Sequence, residues 1–188
     1  MEFILVTLIT FVAVFVFVEF ARGLRTYLKF RGKRIVSCPE NHCDAAVSVA
    51  AGRAAYETIV GTEQFRLSAC SRWPEKQGCG QECLQQIEDD PKGCLVWTIM
   101  NQWYQAKECA YCHKPFTEIH WHDHPPALRN AKGKTFQWNE VPAENLQEIL
   151  KTHKPVCWDC HIAETFRREH PEMVVDRHPD SHRMTLYH

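Results

Sequence analysis

Between Phe3 and Val18 the chain runs for sixteen residues without a charge, all Phe, Ile, Leu, Val or Ala apart from two Thr, and Glu19-Phe20-Ala21 extend the run. A helix of about 18 to 20 such residues, rising about 1.5 Å each, spans a hydrocarbon core of roughly 30 Å. Every face of it is apolar for about five turns, which a helix packed on the core of a domain this small would not be, since such a helix keeps a polar side. A cleaved signal peptide fits less well than a retained anchor, because no basic residue precedes the run and no small-x-small cleavage site follows it. Six cations follow at once, Arg22, Arg25, Lys29, Arg31, Lys33 and Arg34, with no acidic residue among them, whereas Met1-Glu2 in front carries no Lys or Arg. The positive-inside rule therefore puts the C-terminal bulk in the cytoplasm, at the inner membrane of a cell. Phe20, Leu24 and Leu28 recur at helical spacing among these cations, as in a short basic segment lying on anionic headgroups or a plain stop-transfer flank.

Beyond this flank the balance is mildly acidic although the formal net charge is only -1, so no basic stripe is left to suggest a nucleic-acid partner. Ten cysteines and six tryptophans in 188 residues are unusually many. A soluble part this small buries a limited core, so metals or cross-links are expected to supply part of its stability. The expected division is an anchor with its basic flank over 1–34, a Cys-rich and mostly helical region over 35–107, a metal-binding module over 108–171 and a polar tail over 172–188. The expected fold class is α+β.

Two near-identical pentapeptides stand 48 residues apart, Cys109-Ala-Tyr-Cys112-His113 and Cys157-Trp-Asp-Cys160-His161. Each Cys-x-x-Cys-His is the spelling of a covalent c-type haem site, with His113 and His161 as axial ligands. Distal ligands would come from His120, His122 and His124, or from His153, His170, His178 and His182. In an oxidising compartment the other six cysteines would make three disulfides, and the chain would resemble a membrane-anchored dihaem cytochrome that carries electrons. Read as two Cys-x-x-Cys pairs, the same residues give one tetrahedral four-thiolate zinc site.

The order of the surrounding segments favours zinc. A tight turn at Cys109 to Pro115 is followed by two extended arms, Phe116 to Trp121 and Thr135 to Val141, around Lys132-Gly133-Lys134. Pro142 then opens a helix with Leu146, Ile149 and Leu150 on one face, and Cys157-Trp-Asp-Cys160 begins a last helix stopped by Pro171. Knuckle, hairpin and helix resemble the treble-clef zinc modules over about 60 residues, with an extra helix inserted. The resemblance implies Cys109, Cys112, Cys157 and Cys160 as ligands and leaves His113 and His161 unexplained. The cytoplasmic orientation also speaks against haem, since c-type attachment takes place outside the bacterial inner membrane.

In the middle region, Cys70, Cys79, Cys83 and Cys94 are candidates for a second metal site, with a glycine-rich loop before a short helix from Leu84 to Glu88. Pro74 marks that loop as well. The bland alternative is buried or disulfide-paired thiols, with 15 ways to pair six cysteines that include Cys38 and Cys43. Cys38 and Cys43 alone would make a loose knuckle. Gly93 to Lys107 reads as a helix buried on most of its surface. His120, His122 and His124 alternate, so on a strand all three would face one side, where they could bind a second zinc or hold a catalytic one; the bland alternative is one core or supporting histidine with the others solvated.

No nucleotide-binding glycine loop, His-Glu-x-x-His helix or deaminase signature is present, so an enzyme is the less expected class. The expectation is a membrane-anchored structural-zinc protein acting as an interaction or assembly subunit of a membrane-associated complex, with Trp73, Trp97 and Trp103 as anchors for a protein partner. An anchored dihaem cytochrome is the alternative. A redox sensor whose Cys pairs release zinc on oxidation is a third class.

Overall fold

Helix α1 covers Glu2–Phe30 and is long and apolar enough to cross a membrane, its apolar stretch exposed throughout the computed structural model, which describes residues 2–62, 65–73, 75–76 and 78–174. Pro74 and the tail histidines 178, 182 and 188 lie outside the described residues. The chain is a small mixed α and β protein in two compact units. One holds the residues up to Trp103 together with Val141–Ile149, and the other holds Tyr104–Glu140 with the residues from Leu150 on.

In the first unit, β1 (Lys33–Ser37), β2 (Asp44–Val49) and β3 (Leu67–Cys70) form an antiparallel sheet in that order. The strands were not expected in a mostly helical region; they are short, and Ala, Ser and Cys take more of their positions than the β-formers Val and Ile. Helices α2 (Ala51–Val60), α3 (Leu84–Asp89) and α4 (Val96–Tyr104) accompany them. Val36, Ala45, Val47 and Val49 make the core with Phe30 of α1 and Ile87 of α3.

Helix α4 is shorter than the expected span from Gly93 to Lys107. At its start the Gly93 amide donates to the Asp90 carboxylate at 2.8 Å, in a turn whose close approach leaves no room for a Cβ at Gly93. At its end Ala106 takes a left-handed φ of 61°, which stops the helix.

The last part of α1 is packed rather than free. Gly23 is buried against α2, where a Cβ would stand 2.8 Å from Ile59 Cδ1. Arg34, counted among the flanking cations, is fully buried, and its guanidinium closes the C-terminus of α1. Nη1 donates to Phe30 O at 2.6 Å and Nη2 to Lys29 O at 2.6 Å, with further contacts to Gly32 O and Pro91 O. The Lys29 and Phe30 carbonyls are among those that the end of α1 leaves without partners, and a cation also suits the negative end of the dipole. Arg22 is also engaged within the chain, pairing with Glu19 at 3.0 Å.

In the second unit, β4 (Ala127–Arg129) lies between β5 (Thr135–Gln137) and β6 (Lys154–Val156), both antiparallel to it. The turn at Lys132-Gly133-Lys134 is where expected, with Gly133 at a φ of 85°. Its first arm is Ala127–Arg129, however, and not Phe116 to Trp121, which forms no strand. Phe116 and Trp121 instead pack their rings on Tyr104, at 5.1 and 5.9 Å, and burial of these aromatics outweighs their strand propensity. The second arm is also cut short, because Trp138–Glu140 turn into a single 3-10 turn. Helix α5 (Leu146–Thr152) follows Pro142 and a 3-10 turn and begins in the segment that belongs to the first unit, while α6 (Trp158–Glu169) of the second unit ends just before Pro171.

Candidate metal centre

The chain between Lys107 and Phe116 folds back on itself. Cys109 N donates to Lys114 O at 2.9 Å, Phe116 N to Lys107 O at 3.0 Å, and Glu108 pairs with Pro115. At the tip, His113 takes a φ of 57° and its amide donates to Cys109 O at 3.0 Å. A left-handed residue after the second cysteine is what turns both thiols toward one point, and His tolerates that region better than a β-branched residue would. His113 is exposed and serves the turn through its backbone.

Strand β6 brings the second pair to the first. Ala110 N donates to Pro155 O at 2.8 Å, so the knuckle lies on β6 immediately before Cys157. Cys157 caps α6 from an extended conformation, and Cys160 sits in the first turn of that helix. The four sulfurs of Cys109, Cys112, Cys157 and Cys160 all lie within 4.8 Å of one another, Cys112 and Cys157 being 3.7 Å apart. Among the described residues this is the one group of three or more Cys, His, Asp or Glu side chains so placed. A tetrahedral zinc ion with sulfurs at about 2.3 Å spaces them about 3.8 Å apart. The donor set and its spacing therefore fit a metal ion.

Electrostatics point the same way. Cys109 is completely buried, which pushes its thiol up, yet amides of Cys112, Cys157 and Tyr111 directed at the sulfur outweigh this and bring it down to about 7. The Cys157 amide stands 3.3 Å from that sulfur. Burial raises Cys157, and Cys160 is raised by burial and by the crowding of the other three thiols. Four thiolates in this radius repel one another, so all four ionise only around a cation.

His161 has a different task from the cysteine beside it. Its ring is buried, with Nδ1 2.9 Å from Thr135 Oγ1 on β5, and so ties α6 to the sheet. Burial lowers its pKa, which keeps it neutral in this position. Neither His113 nor His161 belongs to the thiol group.

The other candidates part company. His120, His122 and His124 do not alternate on a strand. They occupy an exposed turn in which His124 N donates to His120 O at 2.8 Å, so His120 and His124 lie on one side, lining a cavity with Cys157 and Trp158, while His122 does not line it. Of the four cysteines expected at a second site, Cys70, Cys79 and Cys83 line one cavity of the first unit but Cys94 does not. The Cys94 thiol faces Gln86 O at 3.6 Å. Cys38 takes its place in the cavity wall, brought there by pairing across the sheet 32 residues away from Cys70, which spacing alone does not reveal. Burial pushes Cys83 up to about 11, with Cys79, Cys70 and Cys38 adding to the shift. All ten cysteines are free thiols. Of the tryptophans proposed as anchors, Trp73 packs on the first unit's core while Trp97 stays 42% exposed.

Comparison with known protein families, with curated proteins and with solved structures yields no match for this chain.

Proposed function

We infer that this is a single-pass inner-membrane protein whose cytoplasmic part is held by one structural zinc ion on Cys109, Cys112, Cys157 and Cys160, and which serves as an interaction or assembly subunit of a membrane-associated complex. The observation that carries this reading is the meeting of both Cys-x-x-Cys pairs at one point. Two c-type haems need each pair on its own porphyrin with its own histidine beneath the iron. Four sulfurs within 4.8 Å leave no room for two rings, and the His161 ring is engaged by Thr135.

Zinc is favoured among metals because an all-thiolate tetrahedral set is closed, with no ligand position left for a water or substrate. That also favours a structural over a catalytic ion. The order of knuckle, β4–β5 hairpin and α6 carrying the second pair supports the treble-clef resemblance. The apolar α1 and the one-sided cations behind it support an anchor with the rest of the chain in the cytoplasm. Exposed apolar residues favour a protein partner: Trp97, and Ile162 and Phe166, each 46% exposed and one turn apart on α6.

A test in two parts follows. The full chain purified from membranes in detergent should be colourless and contain zinc that leaves with a chelator, whereas a Soret band resistant to denaturing extraction would end the zinc reading. A C-terminal reporter active only in the periplasm should remain silent, and its activity would reverse the topology.

A further inference from the structure

The geometry points to a second zinc site in the first unit, formed by Cys38, Cys70, Cys79 and Cys83. It does not depend on the centre at Cys109. The four thiols come from separate places in the chain: Cys38 just after β1, Cys70 at the end of β3, Cys79 in the loop that follows and Cys83 at the start of α3. All four line one cavity of about 290 Å³. Cys43 and Cys94, the remaining thiols of this unit, do not.

Two of the sulfurs already receive N–H donors. Gln81 N lies 3.4 Å from Cys79 Sγ, the same spacing of two residues as Tyr111 has to Cys109 in the other centre. Arg72 Nη1 lies 3.2 Å from Cys38 Sγ. Amide and guanidinium donors on sulfur stabilise thiolates and hold their orientation around a metal. Four thiolates on a divalent ion leave two negative charges, and Arg72 offsets one of them at contact range.

The four sulfurs do not converge as tightly as those of the other centre, so binding has to draw them in to about 3.8 Å of one another. Cys79 is the thiol with most room to move in that step. It is exposed between Gly78 and Gly80, and a Cβ at Gly78 would meet nothing within 4 Å, so a shift of this residue breaks little packing. Cys83 is already buried on the core beside Ile87. The ion would then cross-link the sheet to α3 in a unit without disulfides, with the stabilisation that metal binding gives a small fold.

The experiment uses the full chain in detergent, reduced and loaded with Zn²⁺, then alkylated and mapped by mass spectrometry with and without prior treatment with a chelator. Cys38, Cys70, Cys79 and Cys83 should be protected together by zinc and become reactive together once it is removed, while exposed Cys43 reacts in both cases. In parallel, Cys79→Ser should lower the zinc content by one equivalent and Cys43→Ser should leave it unchanged. The inference is overturned if Cys79 and Cys83 alkylate equally with and without zinc, or if iron with acid-labile sulfide occupies these thiols instead. It is also overturned if Cys94 rather than Cys38 is protected with them. The wild-type labelling result stands whether or not a Ser variant folds.

Discussion

Replacing His161 separates a histidine that supports the fold from one that binds a cofactor. In His161→Ala the hydrogen bond to Thr135 is lost, worth about 1 kcal/mol, and the Thr135 hydroxyl, 2% exposed, is left without it at a cost of about 1 kcal/mol more. Removing the buried ring adds about 1 to 2 kcal/mol of lost packing. The sum is about 3 to 4 kcal/mol. With a urea slope of about 2 kcal/mol per molar, the unfolding midpoint of the zinc-saturated full chain should fall by roughly 1.5 to 2 M. Tryptophan fluorescence follows this well, since Trp121, Trp138 and Trp158 all lie in the second unit. In a Thr135→Val background the same replacement should cost about 2 kcal/mol less, because neither the hydrogen bond nor a hydroxyl to strand is left. Zinc content should be unchanged in both variants. A His161→Gln variant that loses metal while remaining folded, or a His161→Ala variant within about 0.5 kcal/mol of wild type, would refute the assignment of His161 to the fold.

Further expectations concern the turn and the end of α1. His113→Gly should be neutral or stabilising by up to about 1 kcal/mol, since the φ of 57° suits Gly, whereas His113→Val should destabilise by about 1 kcal/mol or more; neither should change the metal content. Arg34→Met leaves the terminal carbonyls of α1 buried without donors and should cost the first unit about 3 kcal/mol, with faster tryptic cleavage at Arg31 and Lys33 as the readout. Gly23→Leu should part α2 from α1, lowering stability by about 2 kcal/mol, and Ile59→Ala should recover much of the loss.

The parts legible in the sequence were those set by local chemistry. Helix α6 was marked by its cysteine pair and by Pro171, the β4–β5 turn by Lys132-Gly133-Lys134, and α1 by its unbroken apolar run. The hairpin's first arm was not legible, because Ala127–Arg129 is only three residues long and follows two prolines, while the better β-formers upstream are taken up by packing on Tyr104. Arg34 read as a solvated cation, and only the fold shows it closing a helix. The cysteine pairs were plain from their spacing, but whether they share one ion depends on β6 lying against the knuckle, a contact across 45 residues between Ala110 and Pro155. His113 and His161, which made the haem spelling attractive, turn out to serve the turn and the sheet.

The most direct measurement is the zinc content of Cys112→Ser, Cys160→Ser and the double variant, each compared with the wild-type full chain. One shared ion predicts that each single change removes the same one equivalent and that the double change removes no more. If the losses add, or if one variant keeps a bound cofactor that the other has lost, the two motifs hold separate groups and the shared centre is contradicted.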